Sequence, residues 1–150
     1  MSLKETIQAD LHTSMREREQ VRSATLRMVL AAIQTAQVAG KTAHELSDEE
    51  VLKVLAKEAK KRKESAATYT DAGRQELADR ENAELVFIEA YLPAQLTDEE
   101  LAQIVADAVA ETGATSMKQM GQVVKAAQVT VAGRAEGGRV AAAVKAALTN

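Results

Sequence analysis

The stretch YLPAQLTDEEL, Tyr91 to Leu101, decides how the chain is divided. Pro93 is the sole proline among 150 residues. Its ring removes a backbone donor and steers Leu92 away from helical geometry, so a helix arriving from the N-terminal side stops there. Shortly after it, Thr97 and Glu100 have the spacing of a capping box, in which each side chain satisfies a free N–H of a new helix start. One helix therefore ends and another begins within the stretch. It predicts two units, one over 1–92 and one over 95–150.

Toward the N-terminus the apolar spacing is helical. Ser2 with Glu5 is a second capping box, followed by a stripe of Leu3, Ile7, Leu11 and Met15. The pattern breaks at REREQ. It resumes with Leu26, Met28, Val29, Leu30 and Ile33 and stops at Gly40, which has the character of a C-terminal cap. Ser47 with Glu50 opens a third helix through Val51, Leu52, Val54, Leu55 and Ala59, and Gly73 ends it. A fourth runs from Gln75 to Leu92, with Leu85, Ile88 and Leu92 as its stripe. Toward the C-terminus, Leu101, Ile104, Val105 and Val109 lead to Gly113. Ser116 with Gln119 has the spacing to cap a sixth helix through Met120, Val123 and Val124. A seventh begins near Gly138 and carries Val140, Val144 and Leu148. Val129 to Val131 could be a short extended piece, with no second strand to pair with. The expected fold is all-α: a four-helix N-terminal unit followed by a small three-helix unit.

Composition agrees with this. Hydrophobic residues make up 46% and charged residues 27%, with one Phe, two Tyr and no Trp. Any core is thin and aliphatic, and the abundant alanine favours helix. Cysteine is absent, which excludes disulfides and thiol chemistry. No apolar run reaches membrane-spanning length, and the acids near the N-terminus do not fit a secretory signal. A cytoplasmic protein is the simplest expectation. The net charge of −3 argues against a broad nucleic-acid footprint and leaves room for a local basic face.

The segment GRAEGGRV, Gly133 to Val140, approaches the phosphate-loop pattern, but Arg139 stands where that pattern needs lysine and Val140 where it needs a hydroxyl. A glycine-rich turn into the last helix, with no bound nucleotide, is the expectation. The run KEAKKRKE places Lys53, Lys57, Lys60 and Lys61 near one helical face, either as a phosphate track or as a solvated surface. Arg16, Arg18 and Arg22 pose the same choice. Aromatic residues are not interleaved with these charges, as stacking on single-stranded bases requires. His12 and His44 are isolated, so no metal and no cofactor are expected. No catalytic constellation stands out.

TLRMVLAAI, LSDEEVLKVLAKEAKKRKES, AGRQELADRENAEL, YLPAQLTDEEL and MGQVV…GRAEGGRV, in this order, resemble the YqeY family over essentially the whole chain. The last third also resembles the tail domain of GatB, the tRNA-binding subunit of the glutamine-dependent amidotransferase. The resemblance implies two helical domains and a connection with tRNA or with a protein of the amidotransferase system. On it, Arg134, Arg139, Lys125 and Lys118 would meet phosphate, and Gly121 and Gly133 would permit close approach. Two positions depart from the tail pattern: Gln122 stands where lysine is frequent, and Glu136 where aspartate is. The resulting expectation is a non-catalytic, tRNA- or amidotransferase-associated accessory module. The alternatives are a helical protein-docking module without an RNA role, and a share in carbon–nitrogen ligation with glutamine as nitrogen donor.

Overall fold

The computed structural model describes residues 1–40 and 42–149. All regular structure among them is helical: α1 (Leu3–Arg16), α2 (Gln20–Val38), α3 (Asp48–Asp71), α4 (Gln75–Glu89), α5 (Asp98–Thr112), α6 (Met120–Val131) and α7 (Gly137–Thr149). A single 3₁₀ turn, Met117–Gln119, precedes α6. The all-α expectation holds. The chain divides into two compact units, Met1–Leu92 and Pro93–Asn150.

Three helices start as their sequences require. The hydroxyls of Ser2, Ser47 and Thr97 accept the N–H of Glu5, Glu50 and Glu100, and each glutamate accepts the N–H of its cap residue. In the N-terminal unit, α3 and α4 form a hairpin joined at Gly73, whose φ of 74° is the left-handed conformation that suits glycine. Its core joins Ile7, Leu26, Val29, Ile33, Val51, Leu55, Ala59 and Ile88.

Three details of this unit differ from expectation. Met15 is 47% exposed. A strict i+4 stripe drifts by about 40° per step, so by its fourth member it has rotated off the core. Ser14 is buried instead and bonds to Ser23 at 2.7 Å, joining the end of α1 to the start of α2. Gly40 does not cap α2, which ends at Val38 with Ala39 in right-handed geometry. The N–H groups of Ala39 and His44 reach the carbonyls of Ala36 and Gln37, so the helix end is closed without a glycine turn. Finally, α4 stops at Glu89 rather than Leu92. Tyr91 and Leu92 make i→i+3 bonds to Ile88 and Glu89, the tighter winding forced ahead of Pro93.

The C-terminal unit packs α5, α6 and α7 around Leu101, Val105, Val123, Ala127, Val131, Val140 and Val144, all nearly inaccessible to solvent. α5 ends at Gly113 with φ 69°. Val129 to Val131 belong to α6 and are not extended. Ser116 makes no side-chain cap; Gln119 instead accepts the N–H of Thr115 at 2.8 Å, which favours the 3₁₀ turn.

Candidate nucleic-acid interface

The loop between α6 and α7 is built by its backbone. α6 terminates with Ala132 at φ 49° and Gly133 at φ 80°, both left-handed. The N–H of Ala132 bonds to Gln128 O and that of Arg134 to Val131 O, each at 3.0 Å. The expected turn into the last helix is present. Val140, at the position where a phosphate loop carries its hydroxyl, is fully buried in the core.

Arg134 then folds back over the helix it follows. Its Nε donates to Val131 O at 3.0 Å and its Nη2 to Thr130 O at 2.8 Å. The last carbonyls of α6 lack intrahelical partners and carry the negative end of the helix dipole, so a guanidinium there is favourable. Glu100 lies within the same electrostatic reach. Its carboxyl is held below the usual glutamate range by the Thr97 backbone and hydroxyl, and further by the charge of Arg134.

Arg139, at the start of α7, donates through Nη2 to Leu96 O at 3.0 Å and to Asp98 Oδ1 at 2.9 Å. The N–H of Leu96 in turn bonds to Arg134 O at 2.8 Å. The loop and the residues leading into α5 are thereby clasped together over the buried Leu96 side chain.

The remaining cations are different in kind. Lys118 lies in the 3₁₀ turn and Lys125 on α6; both are exposed and make no ion pair among the described residues. Gly121, Lys125 and Val129 follow at i, i+4 and i+8 on the outer face of α6, opposite Val123, Ala127 and Val131. A Cβ placed on Gly121 would meet nothing within 4 Å, so the fold itself does not require glycine there. Of the six residues that the sequence marked, Gly133 and Arg134 in the loop and Arg139 at the start of α7 form one clasp. Lys118, in the 3₁₀ turn, and Gly121 and Lys125, on α6, lie outside it.

The other sequence candidates lie in the N-terminal unit. His44 Nε2 sits 3.3 Å from Glu50. No cluster of three or more metal-ligating side chains occurs among the described residues. No helix among them is long and apolar enough to cross a membrane. Within the basic run, Lys53 and Lys57 are exposed and Lys61 pairs with Glu58. Arg62, in the same run, is buried, a role that the sequence reading did not single out. The signal was present: Val51, Leu55, Ala59, Arg62 and Ala66 recur at core spacing, and Glu58 stands four residues before Arg62.

Two helical units, each with an aliphatic core, with a clasped glycine–arginine loop leading the last helix, define the class of this protein. The sequence matches the YqeY family, described as Yqey-like protein, over residues 4–148, and the chain belongs to that family. It is 33% identical over 122 residues to a protein of Meyerozyma guilliermondii named Altered inheritance of mitochondria protein 41, mitochondrial. That match takes in 77% of this chain and 62% of the fungal protein. It is also 32% identical over 92 residues to an uncharacterized protein of Schizosaccharomyces pombe, covering 61% of this chain and 73% of that one.

Proposed function

We propose that this chain is a non-catalytic accessory module that binds tRNA through its C-terminal unit, in the setting of the tRNA amidotransferase system. The observation that carries the reading is the outer face of α6. An exposed Lys125, without an ion pair among the described residues, stands one turn from Gly121, whose missing side chain leaves the helix backbone open to approach. Lys118 before the helix and Arg134 at its end place cations along about 18 Å of helix, a spacing suited to several phosphates of a nucleic-acid backbone. Such contacts position the RNA without reading its sequence. Arg139 serves this surface indirectly, by holding the loop that carries Arg134.

Lys125 gives the cleanest test, because Arg134 also caps a helix. Fluorescence anisotropy of labelled tRNA is measured at two salt concentrations for the parent and for Lys125→Ala. Affinity should fall steeply with salt in the parent, and the slope should drop by about one unit in the variant. An unchanged slope removes Lys125 from the interface, and no binding by the parent at low salt removes the tRNA reading.

A second reading, docking of a partner protein, is favoured by Val129, 79% exposed on the same face, and by Met117 beside Lys118. Apolar docking would persist at high salt, where phosphate binding is lost.

A further inference from the structure

A cleft of about 710 Å³ opens between α2, α3 and α4 of the N-terminal unit, and Arg62 forms part of its wall. Arg62 is only 7% exposed, so the destination of each of its donors matters. Nη1 donates to Glu58 O at 3.1 Å and to the Glu58 carboxylate at 3.3 Å. Nη2 has a thioether partner, Met28 Sδ at 3.7 Å. Nε lies 3.3 Å from Glu84 Oε2, close enough for charge attraction, but it is buried and makes no aligned hydrogen bond. The Nε–Nη2 edge, the planar fork with which arginine grips oxygen, therefore has one weak acceptor and one misaligned neighbour. Buried donors are rarely left in this condition.

The chemistry of the missing acceptor follows from its neighbours. The side chains of Glu58 and Glu84 are 13% and 11% exposed, and Glu81 lines the same cleft; Lys61 and Arg80 line it too, but at 63% and 71% exposure they stand in solvent and are paired with Glu58 and Glu84. Beside the buried guanidinium itself, a further anion would meet the like charge of Glu58 and Glu84 at short range. A neutral oxygen would not, and an N–H beside it would find a carboxylate. Met28 and Tyr69 supply apolar and aromatic surface for the rest of the ligand.

We propose that this cleft binds the neutral amide or lactam edge of a small ligand, with its carbonyl oxygen on the Nε–Nη2 edge of Arg62 and its N–H on Glu84 or Glu81. Met28, 41% exposed, moves aside to admit it. A carboxamide and the lactam edge of guanine or uracil share this chemistry. The site lies outside the C-terminal unit and does not depend on tRNA binding there.

The test is NMR of the full chain, following the Arg62 Nε–H and the Met28 methyl group, with acetamide, guanosine, uridine and acetate as probes. Saturable shifts with acetamide or a nucleoside, absent with isosteric acetate, support the site. A nucleoside binding more tightly than acetamide assigns the edge to a base, and the reverse assigns it to a carboxamide. An equal or larger response to acetate, or no saturable shift with any probe, overturns the proposal. Arg62→Lys keeps the charge but loses the fork, and should weaken binding about tenfold, the worth of one hydrogen bond. A folded lysine variant that binds equally well overturns it. If that variant does not fold, Met28→Ala uncovers Nη2 and should bind more tightly; unchanged or weaker binding overturns the proposal.

Discussion

The Arg134 side chain donates to the last two carbonyls of α6, Thr130 and Val131; alanine in its place would return Thr130 O to water, while Val131 O keeps the backbone N–H of residue 134. The side chain is partly exposed, so the expected loss in unfolding free energy is about 1 kcal/mol, read from the midpoint of a urea transition. An unshifted midpoint would mean that solvent caps α6 equally well. Tyr91 has the opposite character. Burial first, then its 2.5 Å hydrogen bond to Asp10 and the charge of that carboxylate, push its hydroxyl well above the ordinary tyrosine value of 10.0. The unfolded chain releases this proton first, so the stability contributed by neutral Tyr91 is complete below pH 10 and declines as pH rises beyond it. Denaturant midpoints taken from pH 9 to pH 11 should fall more steeply for the parent than for Tyr91→Phe. Equal slopes would show that burial and Asp10 do not shift the phenol. Neither role could be read from sequence. Arg134 pairs with carbonyls, which every residue carries, and Tyr91 meets an acid 81 positions away.

Glycine separates the helices into those that need it and one that does not. Gly113 and Gly133 hold φ of 69° and 80°, which a Cβ strains, whereas Gly121 lies in α6 with open space around it. Gly113→Ala and Gly133→Ala should each destabilise by about 1 kcal/mol, and Gly121→Ala should be neutral or stabilising by up to about 1 kcal/mol. Thermal melts of the three variants check this ordering. A bulkier Gly121→Leu should leave helix content intact while weakening tRNA binding; retained binding would take the face of α6 out of the interface. Helix starts were legible at Ser2, Ser47 and Thr97, where cap and glutamate lie three residues apart, because the capping box is a local structure. Ser116 with Gln119 has the same spacing and fails, because Gln119 is taken by the Thr115 N–H. Helix ends were read less well. Gly40 offered a glycine cap, but backbone donors from Ala39 and His44 closed α2 first. For the candidate site, the sequence located the glycine–arginine loop and the α6 lysines. It could not tell clasp from free cation, since Asp98 and Leu96 lie 41 and 43 residues from Arg139.

At the scale of the molecule, each unit has its own core, and neither core contains a buried aromatic ring. Stability therefore rests on close packing of small aliphatic side chains, with little to fill a void. Ile88→Ala, at the centre of the N-terminal core, should cost about 2–5 kcal/mol, measured by denaturant unfolding followed through helix circular dichroism. A smaller loss would mean that α4 settles into the space. The clasp around Leu96 has a consequence in time. Its partners, Arg134 and Arg139, lie 38 and 43 residues further along the chain than Leu96, so the first turn of α5 leaves the ribosome before the groups that hold it. The N-terminal helices can complete their hairpin from neighbouring residues, whereas the C-terminal unit closes only when its last helix has emerged. During synthesis Leu96 waits with its backbone donor and its apolar side chain in water. In a nascent chain stalled before Arg134, the Leu96 amide should exchange hydrogen at the rate of an open loop, and slow exchange there would mean that α5 docks without its clasp.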